Sequence, residues 1–238
     1  MKNIFARGGI EFLAVFLGIA LSLWVDDYRE DRELRNRLED DFQKIYKEVQ
    51  SNIKNIDNII KKNRNHLKSE SKLLDILNGQ EEYSFDKIID LIDGLKWPTF
   101  FGETTAYRTS ISSGRFNTSD KDTLVRSISL LYEHYFVRLT LNGDILDQRA
   151  FEFLSRYAIR FNKPRFNQQN VDTLELKKYF FSDEFHNGLL SAHDIRKNYY
   201  MFRLNETRNH LGTVQKIFAV SYTHLRAHET RDDRVSRL

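Results

Sequence analysis

The chain reads as an all-α protein: an N-terminal transmembrane helix continuing into a long amphipathic helix, followed by an antiparallel helical bundle. Three observations predict this. Proline is nearly absent (2 residues of 238) and glycine is sparse (10); both break helices, so their scarcity favours long uninterrupted ones. Apolar residues recur at helical spacing through most of the chain, without a convincing strand alternation. An uncharged run, Phe12–Val25 (FLAVFLGIALSLWV), stands near the start and is followed at once by Asp26, Asp27, Arg29, Glu30, Asp31 and Arg32.

With Ile10 and Glu11 added, that run nearly reaches the lower limit of about 17 residues for a membrane-spanning helix. Three readings compete for residues 1–25: an uncleaved anchor, a cleaved signal peptide with Ala20-Leu21-Ser22 as its small-x-small site, and a buried helix of a soluble domain. Trp24 and Tyr28 stand where an interfacial aromatic belt would, and helical character continues across the boundary, which favours the anchor. Membrane lipid is then the first partner. Glu11, as a carboxylate in an apolar run, is a functional candidate. Arg7 precedes it by four residues on the same face, however, and both side chains can snorkel to the interface. Arg7, Glu11, Trp24 and Tyr28 are therefore read as interfacial. Ala14, Gly18 and Ser22 form a small-xxx-small stripe that lets two helix backbones approach closely, which points to a homodimer. Lys2 and Arg7 precede the run and Arg29, Arg32, Arg35 and Arg37 follow it. That count opposes an external C-terminal domain, but long domains translocate largely regardless of charge. The bulk of this single-pass chain is expected to be extracytoplasmic.

Residues 26–80 form the long amphipathic helix. Leu34, Leu38, Phe42, Ile45, Val49, Ile53, Ile56 and Ile60 follow one another at steps of three and four, Leu67 comes seven later, and Leu34, Ile45, Ile56 and Leu67 are eleven apart. An eleven-residue repeat drifts little on a real α-helix. The remaining positions are charged or amide residues, as on a solvated face. Asn63–Asn65 is the expected weak point and Gly79 the stop. The stripe fits a partner chain as well as later helices of the same chain.

Residues 81–220 form the bundle body. Ser84 is placed to cap a helix over Phe85–Asp93 that Gly94 ends, and Trp97-Pro98 marks a turn. A short helix over Glu103–Ser113 stops at Gly114, in a left-handed capping position, and Thr118 or Ser119 caps the next. That next helix carries Leu124, Ile128, Leu131, Tyr135 and Leu139 and extends toward Phe161, with a kink or loop expected at Asn142-Gly143 and a stop at Pro164. A polar loop covers Asn162–Val171, and Asp172–Phe181 is short and helical. The last long helix starts at Ser182 or Asp183 and buries Phe185, Leu189, Ala192, Tyr199, Phe202, Leu211, Val214 and Ile217. Residues 221–238, SYTHLRAHETRDDRVSRL, lose the apolar period and look like a translated sequencing-adapter tail. They are read as non-native, with the native chain continuing past Val220, and His224 and His228 are not read as a metal site.

Catalytic signatures are missing. There is no cysteine, so disulfides, thiolate metal sites and cysteine nucleophiles are excluded. A net charge of +3 with interspersed signs gives no basic stripe, so no nucleic acid is expected. The Glu-x-x-His motif of di-iron bundles, HExxH, the Walker loop, GxGxxG and GxSxG do not occur. His66, His134, His186, His193 and His210 are scattered; the pairs His186/His193 and Glu206/His210 have spacings that helices produce by chance. No catalytic residue, metal site or cofactor is assigned.

Two segments carry a resemblance. One is GIEFLAVFLGIALSLWVDDYRED (9–31), with Glu at the head of the apolar run, then Gly-Ile-Ala-Leu, Trp and an acid-rich helix start. The other is TTAYRTSISSGRFNTSDKDTL (104–124), with Ala106-Tyr107, Ser113-Gly114 and a capped turn. Together they resemble an uncharacterised family of bacterial single-span membrane proteins, a domain of unknown function, over most of Met1–Val220. The resemblance implies an N-terminal anchor and an extracytoplasmic helical domain, and supplies no catalytic residue. The expected function is a membrane-anchored helical interaction or sensory and scaffolding module, not an enzyme. It would act through self-association or an unknown protein partner. The alternative is an envelope enzyme or small-molecule-binding protein with a pocket inside the bundle.

Overall fold

The computed structural model describes residues 2–161 and 172–235; within them, the side chains of residues 2–11, 14 and 222–235 lie outside the description. The polar loop expected over Asn162–Val171, and the stop at Pro164, lie outside the described residues. The rest is all-α, with no strand among the described residues. Helix α1 is Lys2–Leu77, α2 Phe85–Asp93, α3 Thr105–Ser112, α4 Asp122–Leu130, α5 Val137–Glu152, α6 Thr173–Phe180, α7 Asp183–Asp194 and α8 Met201–Val235. Wide π-type turns at Leu131–Phe136, Phe153–Tyr157 and Ile195–Tyr200 join α4 to α5, extend α5, and join α7 to α8.

Helix α1 runs through Asn63–Asn65 without the expected break. Asn63 is fully buried, and its side-chain amide donates to the carbonyls of Ile59 and Pro98 at 3.0 and 2.8 Å. The helix ends where Gly79 takes a φ of 70°, so that the amides of Gly79 and Gln80 donate back to Ile76 and Asp75. Ser84 begins α2 through its backbone carbonyl alone, and Gly94 ends it with an ordinary right-handed φ of −77°. Asn142-Gly143 is neither kink nor loop: it lies inside α5, with Gly143 buried.

The chain divides into two compact units, Met1–Tyr46 with Thr105–Asp120, and Lys47–Thr104 with Lys121–Leu238. The first is built around Phe42, Ile45, Tyr107 and Phe116, with Phe116 tilted on Phe42 and edge-on to Tyr107. The second has an aromatic end in which Phe153, Phe161, Tyr179, Phe180 and Phe185 meet at ring distances of 5.2–6.3 Å. In α7, Gly188 lies under the Tyr157 ring, where a Cβ would come within 2.7 Å.

The wide turns move the buried face. Through the α7–α8 segment the buried face includes Leu189, Ala192, Arg196, Tyr200 and Leu204, while Tyr199 and Phe202, expected inside, are exposed. A π turn inserts one residue per turn, so the inward positions step by four through Ile195–Tyr200. The same shift at Leu131–Phe136 buries Tyr132 and Phe136 and leaves Tyr135 half-exposed.

Candidate functional site

The buried face of α1 is partly polar. In the first unit Asp41 is buried and accepts from Arg115 Nε at 2.9 Å and from Ser110 Oγ at 3.2 Å. Gly114 aims Arg115, since its φ of 76° reverses the chain between α3 and the short turn Arg115–Thr118.

In the second unit α1 grips an extended strap, residues 95–104. Asn52 donates from Nδ2 to the Glu103 carbonyl (2.9 Å) and accepts the Glu103 amide on Oδ1 (2.8 Å). Asn55 donates to the Phe101 carbonyl and Asn63 to the Pro98 carbonyl. These amides satisfy strap backbone groups that no ladder or helix serves. From the other side, the Phe100 amide donates to the Tyr200 hydroxyl at 2.7 Å, and burial pushes the Tyr200 phenol well above its ordinary value. Nearby, Glu48 accepts from the Tyr132 hydroxyl at 2.7 Å.

At the strap's start lies a buried ion cluster. Glu70 and Arg196 are both 0% exposed and 2.9 Å apart. Arg196 also donates to the Lys96 carbonyl (2.7 Å) and to Asn63 Oδ1 (3.2 Å), and its guanidinium lies 5.2 Å from the Trp97 ring centroid. His193, also buried, brings Nδ1 to 3.3 Å from Glu70 Oε2. Burial lowers the Arg196 guanidinium from its ordinary value while Glu70 holds it up. Burial, then the Arg196 charge, lower the half-buried His66. Arg196 Nε and Trp97 Nε1 make no hydrogen bond among the described residues.

An open groove of about 660 Å³ runs beside this cluster, walled by Ile92, Trp97, Phe151, Leu154, Ile159 and Phe161. Two acids line it, Asp93 and Asp147; Asp147 is raised above the usual carboxylate range by burial and accepts from Thr99 at 3.4 Å. Among the described residues lining the groove, no nucleophile–base pair converges. Among the described residues no group of three or more His, Asp or Glu side chains is placed to hold a metal ion. His210 is committed elsewhere: its Nε2 donates to the Ser127 carbonyl and its ring stacks on Tyr135. Glu206 pairs with Arg203.

Of the residues singled out in the sequence, Gly18 and Ser22 lie on α1 with open space around them: a Cβ on Gly18 would meet nothing within 4 Å, and Ser22 is exposed. Trp24 and Tyr28 are exposed and stack at 6.1 Å. The side chains of Arg7, Glu11 and Ala14 lie outside the described residues. Lys121 takes the N-cap position of the following helix without a side-chain cap, and Ser119 ends the turn Arg115–Thr118 in extended conformation. The expected spanning helix is not found: among the described residues, no helix is long and apolar enough to cross a membrane.

The polar grip on the strap escaped sequence reasoning, which took the amide and acidic positions of α1 for a solvated face. Asp41, Asn52 and Asn63 are spaced by eleven, the same interval as Leu34, Ile45, Ile56 and Leu67. Each stands four residues before Ile45, Ile56 and Leu67 in turn, and that i, i+4 offset places them on the apolar side and was the available signal.

A model of a family of unknown function, DUF6090, matches residues 11–181, which include the α1 grip and the strap but not His193 or Arg196. No curated protein and no solved structure matches the chain.

Proposed function

We propose that this chain, which belongs to the DUF6090 family, is a membrane-anchored helical module acting through association with a second copy or a protein partner, not a catalyst. The observation that carries this is the apolar sleeve on α1. Phe12, Leu13, Val15, Phe16, Leu17, Ile19, Leu21, Leu23, Trp24 and Val25 are each 45–71% exposed. Ten consecutive-turn apolar side chains facing outward on every side of one helix fit a hydrocarbon environment and not water. The stacked Trp24–Tyr28 pair, followed by charged residues, fits an interfacial boundary. The bulk of the chain then stands outside the bilayer, on the extracytoplasmic face, and Ala14, Gly18 and Ser22 offer the closest backbone approach between two anchors.

Fractionation of the full-length chain expressed in a bacterial host tests this. The protein stays in the membrane pellet through alkaline carbonate and is released by detergent, and removal of residues 1–25 makes it soluble. Recovery of the intact chain in the carbonate supernatant would refute the anchor. The second reading, a small-molecule-binding protein of the envelope, has the groove beside Trp97 and Asp147 in its favour.

A further inference from the structure

We propose that the groove beside Trp97 is a binding site for a small organic cation, an ammonium or quaternary ammonium group carried on an apolar body, with Asp147 as its counter-charge. The proposal rests on the second reading above, a small-molecule-binding protein, and adds the class of ligand.

The groove has the size and the wall of a ligand site. Its volume of about 660 Å³ falls in the range of about 300–1,000 Å³ that small-molecule sites occupy. Part of its apolar wall is left facing water. Phe151 is 74% exposed and Leu154 44%, where α5 passes into the wide turn Phe153–Tyr157. A ligand body laid on them removes that surface from water. Trp97 and Phe151 supply aromatic surface, against which an apolar body and a cation are both favoured.

The sign of the ligand's charge follows from the polar lining, which has four members, Asp93, Lys96, Asp147 and Ser155. Ser155 is spent within its own helix, since its hydroxyl donates to the Phe151 carbonyl at 2.6 Å. The charged lining is then two carboxylates against one ammonium. Asp147 is exposed, so a solute reaches it. Partial burial nonetheless works against its charge, and Asp144 adds a like charge beside it; only the Thr99 hydroxyl, 3.4 Å away, works in the opposite direction. Among the described residues no cation stands close enough to offset these. Lys96, on the wall of the same groove, bears on His66 instead. An ammonium group within hydrogen-bond reach of Asp147 supplies the missing opposite charge while its apolar body covers Phe151 and Leu154. An anion of the same shape would meet the two carboxylates, and a neutral body would leave Asp147 as it stands.

The test uses the full-length chain in neutral-detergent micelles with Trp24→Phe, which leaves Trp97 as the single tryptophan. Three water-soluble probes of one shape are titrated at neutral pH: phenethylammonium, phenylethanol and phenylacetate. The expected result is a saturable change in Trp97 emission with phenethylammonium, an affinity weaker by about tenfold or more for phenylethanol, and no response to phenylacetate. Asp147→Asn keeps the size and an acceptor for Thr99 at an exposed position. It should weaken phenethylammonium by about tenfold and leave phenylethanol unchanged, whereas Phe151→Ala should weaken both. Urea melts verify that each variant is folded, and should Asp147→Asn not fold, the ranking of the three probes on the parent decides. Equal affinity for phenethylammonium and phenylethanol, or an unchanged affinity for phenethylammonium in folded Asp147→Asn, overturns the cation assignment and leaves a small-molecule site standing. No saturable response to any of the three overturns both.

Discussion

Asn52 and Glu103 exchange two hydrogen bonds across 51 residues of sequence, the side-chain amide of one reading the backbone amide and carbonyl of the other. The pair is part-buried, so neither partner can turn to bulk water without cost. Asn52→Asp keeps an acceptor for the Glu103 amide but sets a carboxylate against the Glu103 carbonyl. Asn52→Leu leaves both backbone groups unserved. Each should lower unfolding free energy by about 1–3 kcal/mol, read from urea melts, and Asn52→Asp should lose less at acid pH, where its carboxyl can donate.

Gly188 and Tyr157 make a close approach between α7 and the end of α5. Gly188→Ala places a Cβ at 2.7 Å from the ring, including its Cγ, which sits close to the backbone and has little room to retreat. The expected loss is about 1–3 kcal/mol of stability. Tyr157→Leu in the same chain should recover part of it. Equal stability of Gly188→Ala and the parent in thermal and urea unfolding would show that the ring can move aside.

Arg196 and Glu70 are each fully buried, so removing one leaves the other's charge uncompensated. Arg196→Met should cost about 3–5 kcal/mol, and Glu70→Leu with Arg196→Met should restore much of that loss. A double-mutant cycle on chemical unfolding measures it.

Tyr200 gives an alkaline signature. Burial raises its pKa, so as pH climbs through about 10 the tyrosine of the unfolded chain ionises while Tyr200 in the fold stays neutral. The unfolded state gains, and stability falls with rising pH. Tyr200→Phe removes this one slope, so the difference in stability between parent and variant should shrink from pH 8 to pH 11, conditions chosen to bracket an ordinary phenol at about 10. At neutral pH the variant is less stable, because the Phe100 amide loses its acceptor.

The all-α class, the helix ends at Gly79 and Gly114, and most of the α1 face were legible because they follow from local chemistry: apolar period and the φ that glycine permits. What was illegible depended on tertiary register. Tyr199 and Phe202 fit a regular helical period inward, but the wide turn at Ile195–Tyr200 hands those places to Tyr200 and Leu204. The strap had no pattern of its own to reveal it, since its backbone partners are side chains more than thirty residues away. The contacts of His193 and Arg196 with Glu70 join residues more than 120 positions apart, which no local pattern reveals.

The spacing of the two outer amides carries a metric consequence. Asn52 and Asn63 are separated by eleven helical residues, a rise of about 16.5 Å. The carbonyls they hold, on Glu103 and Pro98, are five residues apart, and five extended residues cover about the same length. The two lengths are of the same order, so deleting a single residue between Pro98 and Glu103 should weaken one of the two attachments, whatever its side chain.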